Sequence, residues 1–95
     1  MKSRTEKAQF CRHFSEIQGM QKESTISYFF VPNPCGIQLS VKEESEDGVR
    51  RESCLCPNLP LTTAKQLMQL AYENNFGLGV WFDMLQDQGI RYQVI

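Results

Sequence analysis

Three cysteines come nearest, by residue type and spacing, to a metal or redox site. Cys54 and Cys56 are separated by one residue, and Cys35 lies at the start of another apolar pattern. Alternate residues of a strand point to the same face of a sheet, so the thiols of Cys54 and Cys56 would face the same way. Thiolates bind soft metals and are readily oxidised. One hypothesis is therefore a thiol-based metal-binding or redox protein that uses Cys35, Cys54 and Cys56.

The competing interpretation places these thiols in a hydrophobic core. A structural zinc site needs four ligands, usually in two closely spaced pairs. The residues that could complete such a site, Cys11 and His13, lie in a polar N-terminal segment. Free cysteine is among the most frequently buried residue types. We therefore favour core packing and expect neither a metal nor a cofactor.

The other titratable residues do not form a recognisable catalytic set. His13 is the only histidine, and in a helix it would point away from Cys11, two residues before it. A Ser–His–Asp arrangement needs a histidine beside its nucleophile, and nothing nearby would orient this one. We expect no enzyme activity. A catalyst with an unrecognised site stays an open alternative, because one sequence does not reveal site geometry.

Asp83, Asp87 and Trp81 are the candidate contacts to a partner. The two aspartates lie four residues apart in a helical pattern and share a face. Such a pair could hold a metal, but we favour a solvated stripe, with partner contact as the second interpretation. Trp81 has the spacing of a core residue, and an exposed tryptophan would be an interface anchor.

The composition predicts one globular domain with balanced charge. The 95 residues are 41% apolar and 22% charged, and 10 basic against 11 acidic residues leave a net charge of −1. Nucleic-acid binding depends on clustered Lys and Arg, so we expect no nucleic-acid partner. No apolar run approaches the roughly 20 residues of a membrane helix, and none follows the N-terminal Met1-Lys2-Ser3-Arg4 as in a secretory signal. We therefore expect a cytoplasmic protein without membrane contact.

Three segments are predicted to form an antiparallel sheet. Residues 25–31 are rich in β-branched and aromatic side chains, residues 37–42 alternate between apolar and polar, and residues 49–56 return after a turn. Asp47-Gly48 is a pair favoured in two-residue type I′ loops. That loop predicts a register in which Glu44 faces Arg51, Val41 faces Cys54 and Leu39 faces Cys56.

Two helices are predicted after the sheet. Thr63-x-x-Gln66 is a capping-box pattern, and Asn74-Asn75 is typical of a helix end. Between them, helical spacing aligns Ala64, Leu67, Met68, Ala71 and Tyr72. After a turn at Gly77-Leu78-Gly79, a second helix is indicated by Leu78, Trp81, Phe82 and Leu85, with Gly89 just past its end. The alternating residues 90–94 could add a short fourth strand.

Residues 1–23 are predicted to form an N-terminal tail or a loosely attached amphipathic helix, outside a domain that spans residues 24–95. A helical stripe is formed by Phe10, Cys11, Phe14 and Ile17. Gly19 would end this helix, which is short enough to be marginal without packing.

The order of a strand, a hairpin with an acidic glycine-containing turn and two closely spaced helices resembles an uncharacterised bacterial family, a domain of unknown function. Its members are small proteins from anaerobic Gram-positive bacteria. The resemblance spans residues 24–88 and is carried by residues 28–30, by Cys35-Gly36-Ile37-Gln38-Leu39 with its acidic continuation, and by residues 67–87. Gly77-Leu78-Gly79 departs from the Ser-Pro type of helix start expected there. Since the family has no assigned activity, the resemblance implies a fold and no function.

The sequence therefore predicts an α+β fold, with a three-stranded antiparallel sheet packed on two C-terminal helices. The function we predict is a small protein-interaction or regulatory module without catalysis, which binds an unidentified protein partner. The alternative is the thiol-based protein described above.

Overall fold

The chain folds as one antiparallel sheet with two helices on one face. The computed structural model describes residues 10–15, 19 and 22–95. Its elements are, in chain order, β1 (Phe10–Phe14), β2 (Ser24–Asn33), β3 (Gly36–Ser45), β4 (Gly48–Cys56), α1 (Leu61–Glu73), α2 (Val80–Asp87) and β5 (Gln93–Val94). The strands are ordered β1-β2-β3-β4-β5 in the sheet. The predicted α+β class is confirmed, but the described part of the chain has five strands where we expected three and a possible short fourth.

The N-terminal prediction is wrong where the structure tests it. Residues 10–14 form the edge strand β1, in which Phe10 pairs with Tyr28 and Phe14 with Ser24. The Phe10 ring stacks on Tyr72 of α1 with 5.5 Å between centroids, and the Arg12 guanidinium lies 4.4 Å from the centre of the same ring. Tertiary packing thus overrides a weak helical stripe. Residues 1–9, 16–18, 20 and 21 lie outside the described residues.

The β3–β4 hairpin keeps the predicted faces but has a different register. Its turn residues are Glu46 and Asp47, and Ser45 pairs with Gly48. A type I′ loop needs positive φ at both central residues, whereas here only Gly48 has it, with φ of +124°. The glycine therefore follows the turn instead of lying within it. This moves the pairing by two residues.

The shifted register changes which side chains face each other across the two strands. Leu39 pairs with Cys54, and Glu43 pairs with Arg50, so the expected Glu44–Arg51 pair does not form. The Glu43 and Arg50 side chains make an ion pair of 2.7 Å instead. A shift of two residues leaves every side chain on its original face, because the strand period is two. Cys54 and Cys56 therefore still face the helices.

The core lies between the sheet and the two helices. On the sheet, β2 to β4 contribute Tyr28, Ile37, Leu39, Val41, Cys54 and Cys56. The helices contribute Ala64, Leu67, Met68, Ala71, Trp81, Met84 and Leu85. The predicted apolar face of α1 is confirmed, since its buried residues are four of the five expected ones.

The start of α1 differs from the prediction and its end agrees with it. Pro60 stands at the N-terminal cap position without a side-chain cap, so Thr63 lies inside the first turn and forms no capping box. Asn75 takes a positive φ of 57°, and the Phe76 N–H donates to the Ala71 carbonyl. This is the left-handed cap that Asn74-Asn75 predicted. The Tyr28 hydroxyl fixes the same end by donating to the Phe76 carbonyl over 2.8 Å.

The C-terminal segment holds α2 against the sheet. Gly89 has a φ of +71°, and the Ile90 N–H donates to the Leu85 carbonyl, as expected of a glycine just past a helix. The Tyr92 ring stacks on Phe82, with 5.4 Å between centroids. The short C-terminal strand is confirmed as β5, in which Val94 pairs with Cys54.

Candidate functional site

The Cys54-x-Cys56 pair is buried beneath the helices. Both residues are fully buried, and their sulfur atoms are 4.0 Å apart. The hydrogen bond to Cys56 and burial in the apolar core both raise the pKa of the Cys54 thiol. Reactive cysteines need an accessible thiolate, and both of these thiols are fully buried. The arrangement therefore serves packing better than redox chemistry.

The remaining thiols and the histidine lie elsewhere. Cys35 is exposed in the β2–β3 turn, and Cys11 is exposed on β1, where its sulfur accepts a hydrogen bond from Ser27 over 3.7 Å. His13 contacts Thr25 and Glu23 at the surface. Among the residues that the structure describes, no three His, Cys, Asp or Glu side chains are grouped so that they could hold a metal ion.

Trp81 is positioned in the core by a carboxylate of the sheet. Glu52 points toward the helices, and one of its oxygens accepts the Trp81 indole N–H over 3.0 Å and the Gly79 backbone N–H over 2.6 Å. The Trp81 side chain is 0% exposed. It is therefore unavailable for direct partner contact, and of the three predicted contact residues only Asp83 and Asp87 are exposed.

A groove between α1 and α2 presents a concave, largely apolar surface. It consists of two adjoining depressions of about 390 and 310 Å³, which share Leu70 and Gln88. Its apolar lining, which we call the groove floor, consists of Leu67, Leu70, Phe76, Val80, Met84 and Ile90. Val80 remains 49% exposed. Apolar concavities that stay open to solvent are typical of binding surfaces.

The rim of this groove is acidic. Its charged members, Glu73, Asp83 and Asp87, all carry carboxylates, and the remaining rim residues are uncharged: Thr63, Gln66, Gln69, Asn74 and Gln88. Glu73 accepts a hydrogen bond from Gln69 over 3.1 Å. Within the described ranges, neither aspartate has a hydrogen-bond or ion-pair partner. The carboxylates of α2 are thus exposed, and no cation of the described residues pairs with them.

Two of these carboxylates occupy positions that do not favour helix stability. Glu73 lies in the last turn of α1 and Asp87 in the last turn of α2, and neither turn carries a basic residue. The C-terminal end of a helix has a partial negative charge, so an acidic side chain there is unfavourable by a few tenths of a kcal/mol. The groove therefore concentrates negative charge beside apolar surface.

The acidic tip of the β3–β4 hairpin differs from the groove rim because lysine side chains pair with its carboxylates. The Lys22 ammonium lies 3.1 Å from Asp47 and 3.5 Å from Glu46, and the hydrogen bond with Asp47 together with its charge raises the pKa of Lys22. Lys42 lies 3.7 Å from Glu44. These are exposed ion pairs, which contribute little to stability. The acidic groups of the hairpin are thus paired, whereas the described residues supply no cation to those of α2.

Sequence reasoning identified Asp83 and Asp87 and missed the groove and Glu52. The aspartates carry a visible signal, because their spacing places them on one helix face. The groove depends on how two helices pack, and Glu52 depends on a tertiary contact with the α1–α2 turn. The one signal for Glu52 was its place two residues before Cys54, which puts it on the same, apolar face of the strand in either register.

Within the described residues, neither helix is long and apolar enough to cross a membrane. No family model, curated protein or solved structure matches this chain. The resemblance to the bacterial family described above therefore stays a prediction.

Proposed function

We propose that this chain is a protein-interaction module without catalysis, which binds a segment of a partner protein in the α1–α2 groove. The observation that carries the proposal is the groove floor, where apolar side chains of both helices line a depression that no described part of the chain fills. Peptide-binding modules commonly use such grooves for an amphipathic segment.

The core beneath the groove is formed by side chains of the sheet and the two helices. The apolar side chains of the groove floor that stay exposed are therefore available to a partner. Trp81, Met68 and Leu85 are buried by contacts with the sheet and with each other, so the fold leaves the outer surfaces of the helices free. Leu70 and Val80 add apolar surface outside this core. Exposed apolar surface next to a polar rim is the usual composition of a recognition site.

The thiol-based alternative has less geometric support. Cys54 and Cys56 lie close together, but they are fully buried, and Cys35 is in an exposed turn. A metal or an oxidant would reach the pair only after local opening of the core. The four free thiols do support a reducing compartment, and on that basis we propose a cytoplasmic location.

Selection from a random peptide-display library tests the proposed function. We expect wild-type protein to enrich peptides whose binding is lost in Leu70→Gln, because the new amide must be desolvated in the groove. The matched control is Leu55→Gln on the opposite sheet face, which should retain binding. Enriched peptides that bind both variants equally, or no enrichment over an unrelated protein, would contradict the proposal.

A further inference from the structure

We infer that the partner segment is a basic amphipathic helix, whose Lys or Arg side chains pair with Asp83 and Asp87 while its apolar side chains cover the groove floor. This inference rests on the proposed function and specifies the chemistry of the partner.

The charged residues that line the groove favour a basic partner. Among the residues that the structure describes, every charged one that lines the groove is acidic. The described residues supply no cation to Asp83 or Asp87, although they do supply cations to the acidic hairpin. A basic segment would neutralise the two aspartates together with Glu73, whereas an acidic segment would meet three like charges.

The shape of the groove favours a helical partner. Its two depressions adjoin at Leu70 and Gln88 and follow the seam between the helices. Apolar side chains one turn apart on a third helix, at i and i+3 or i+4, are suited to filling two neighbouring depressions. Long basic side chains complement this geometry, because their methylene stems cover apolar surface while their charged ends reach the rim.

The chain's own composition argues against a second copy as the occupant. Lys65 is the only basic residue in α1, and α2 has none. Each helix instead ends in an acidic residue, Glu73 in α1 and Asp87 in α2. Docking one of these helices into the groove of another copy would bring carboxylates together, so a different protein is the better occupant.

Three matched synthetic peptides test this inference by fluorescence anisotropy. Each is a helical peptide with leucines at i, i+4 and i+7, and its polar face carries lysine, glutamine or glutamate. We expect the lysine peptide to bind at least tenfold more tightly than the glutamine peptide, with the glutamate peptide weakest. In Asp83→Asn/Asp87→Asn, affinity for the lysine peptide should fall about tenfold, as expected for two exposed charge pairs.

The control variant Glu44→Gln/Glu46→Gln removes the same charge from the hairpin and should leave the affinity within twofold. An equal loss in this control would show attraction by net charge alone and would overturn the inference. If the glutamine or glutamate peptide bound most tightly and lost binding in Leu70→Gln, the basic partner would be wrong while the groove function would stand. If no peptide bound in a Leu70-dependent manner, the inference would fail, and the display selection would decide the proposed function separately. Sedimentation that showed a dimer abolished by Leu70→Gln would identify a second copy as the occupant and overturn the inference.

Discussion

At the residue scale, Glu52 connects the sheet to the turn between the helices. A single carboxylate oxygen accepts two N–H groups, one from the Trp81 indole and one from the Gly79 backbone. We predict that Glu52→Ala lowers the free energy of unfolding by about 1–3 kcal/mol, because it leaves the buried indole donor without an acceptor. Urea denaturation monitored by Trp81 fluorescence measures this change.

Glu52→Gln is the matched control for the same position. Its amide oxygen still accepts hydrogen bonds, although a neutral acceptor is weaker than a carboxylate. The glutamine variant should therefore lose less stability than the alanine variant. Equal urea midpoints for wild type and Glu52→Ala would contradict the role assigned to Glu52.

The buried thiol pair predicts how stability changes with pH. Because the pKa of Cys54 is raised in the folded state, the native thiol keeps its proton while the unfolded chain loses its own above about pH 8.5. The stabilising contribution is thus complete below that pH and is lost as the pH rises. We expect the free energy of unfolding to fall by at most about 1.4 kcal/mol between pH 7.5 and 9.5 under reducing conditions, because the hydrogen bond from Cys54 lowers the pKa of Cys56 and offsets part of the loss.

Two variants separate this effect from other titrations. Cys54→Ala/Cys56→Ala removes both buried thiols and should flatten the decline, whereas Cys11→Ala/Cys35→Ala removes the two exposed thiols and should preserve it. A decline of the same size in both double variants would show that groups other than the buried pair cause it.

At the element scale, β1 shows how an edge strand is secured by packing onto a helix. Phe10 stacks on Tyr72 and packs against the hydrophobic core. Phe14 lies on the same face of the strand but does not pack against that core. We predict that Phe10→Ala lowers the free energy of unfolding by about 1–2 kcal/mol, as expected for a half-buried aromatic ring. Thermal or urea denaturation measures the loss.

Phe14→Ala is the comparison for this prediction. The same substitution at the other end of the strand should cost less than half as much. Similar losses for the two variants would indicate that contact with Tyr72 does not secure the strand.

The elements that sequence predicts best are those with strong local signals. Helix α1 has a continuous apolar face and an Asn cap, and β3 alternates clearly, so both are predicted correctly as elements. Strand β1 has no such signal, because its identity depends on pairing with β2. The hairpin register was wrong because the position of Gly48 alone does not distinguish a type I′ loop from a type I turn followed by glycine.

At the scale of the whole molecule, the sheet face opposite the helices and the outer surface of the helices differ in the charged residues beside their apolar side chains. The sheet face opposite the helices carries Lys42 and Arg51 beside the buried Phe29 ring, at 5.6 and 5.1 Å. The outer surface of the helices carries Asp83 and Asp87 beside apolar side chains, and no basic residue in the described ranges pairs with either aspartate. The net charge of −1 does not reveal that these basic and acidic residues lie on opposite surfaces. The distribution of charge, and not its sum, therefore indicates the preferred partner.

The candidate site was predictable only in part, because it depends on how the two helices pack. Asp83 and Asp87 are recognisable from their spacing, but sequence does not show that they flank an apolar groove. That requires the packing of α1 beside α2, which brings Leu70 and Met84 to one depression. Trp81, which looked like an interface anchor in one interpretation, is needed inside the core.

An NMR titration of ¹⁵N-labelled protein with the lysine–leucine peptide tests the central claim most directly. The account predicts that the largest amide shift changes occur along the groove, at Leu70, Met84 and Gln88. Residues of the opposite sheet face, such as Gln38 and Leu55, should change little. Changes concentrated on that sheet face, or spread evenly over the surface, would contradict the assignment of the α1–α2 groove as the binding site.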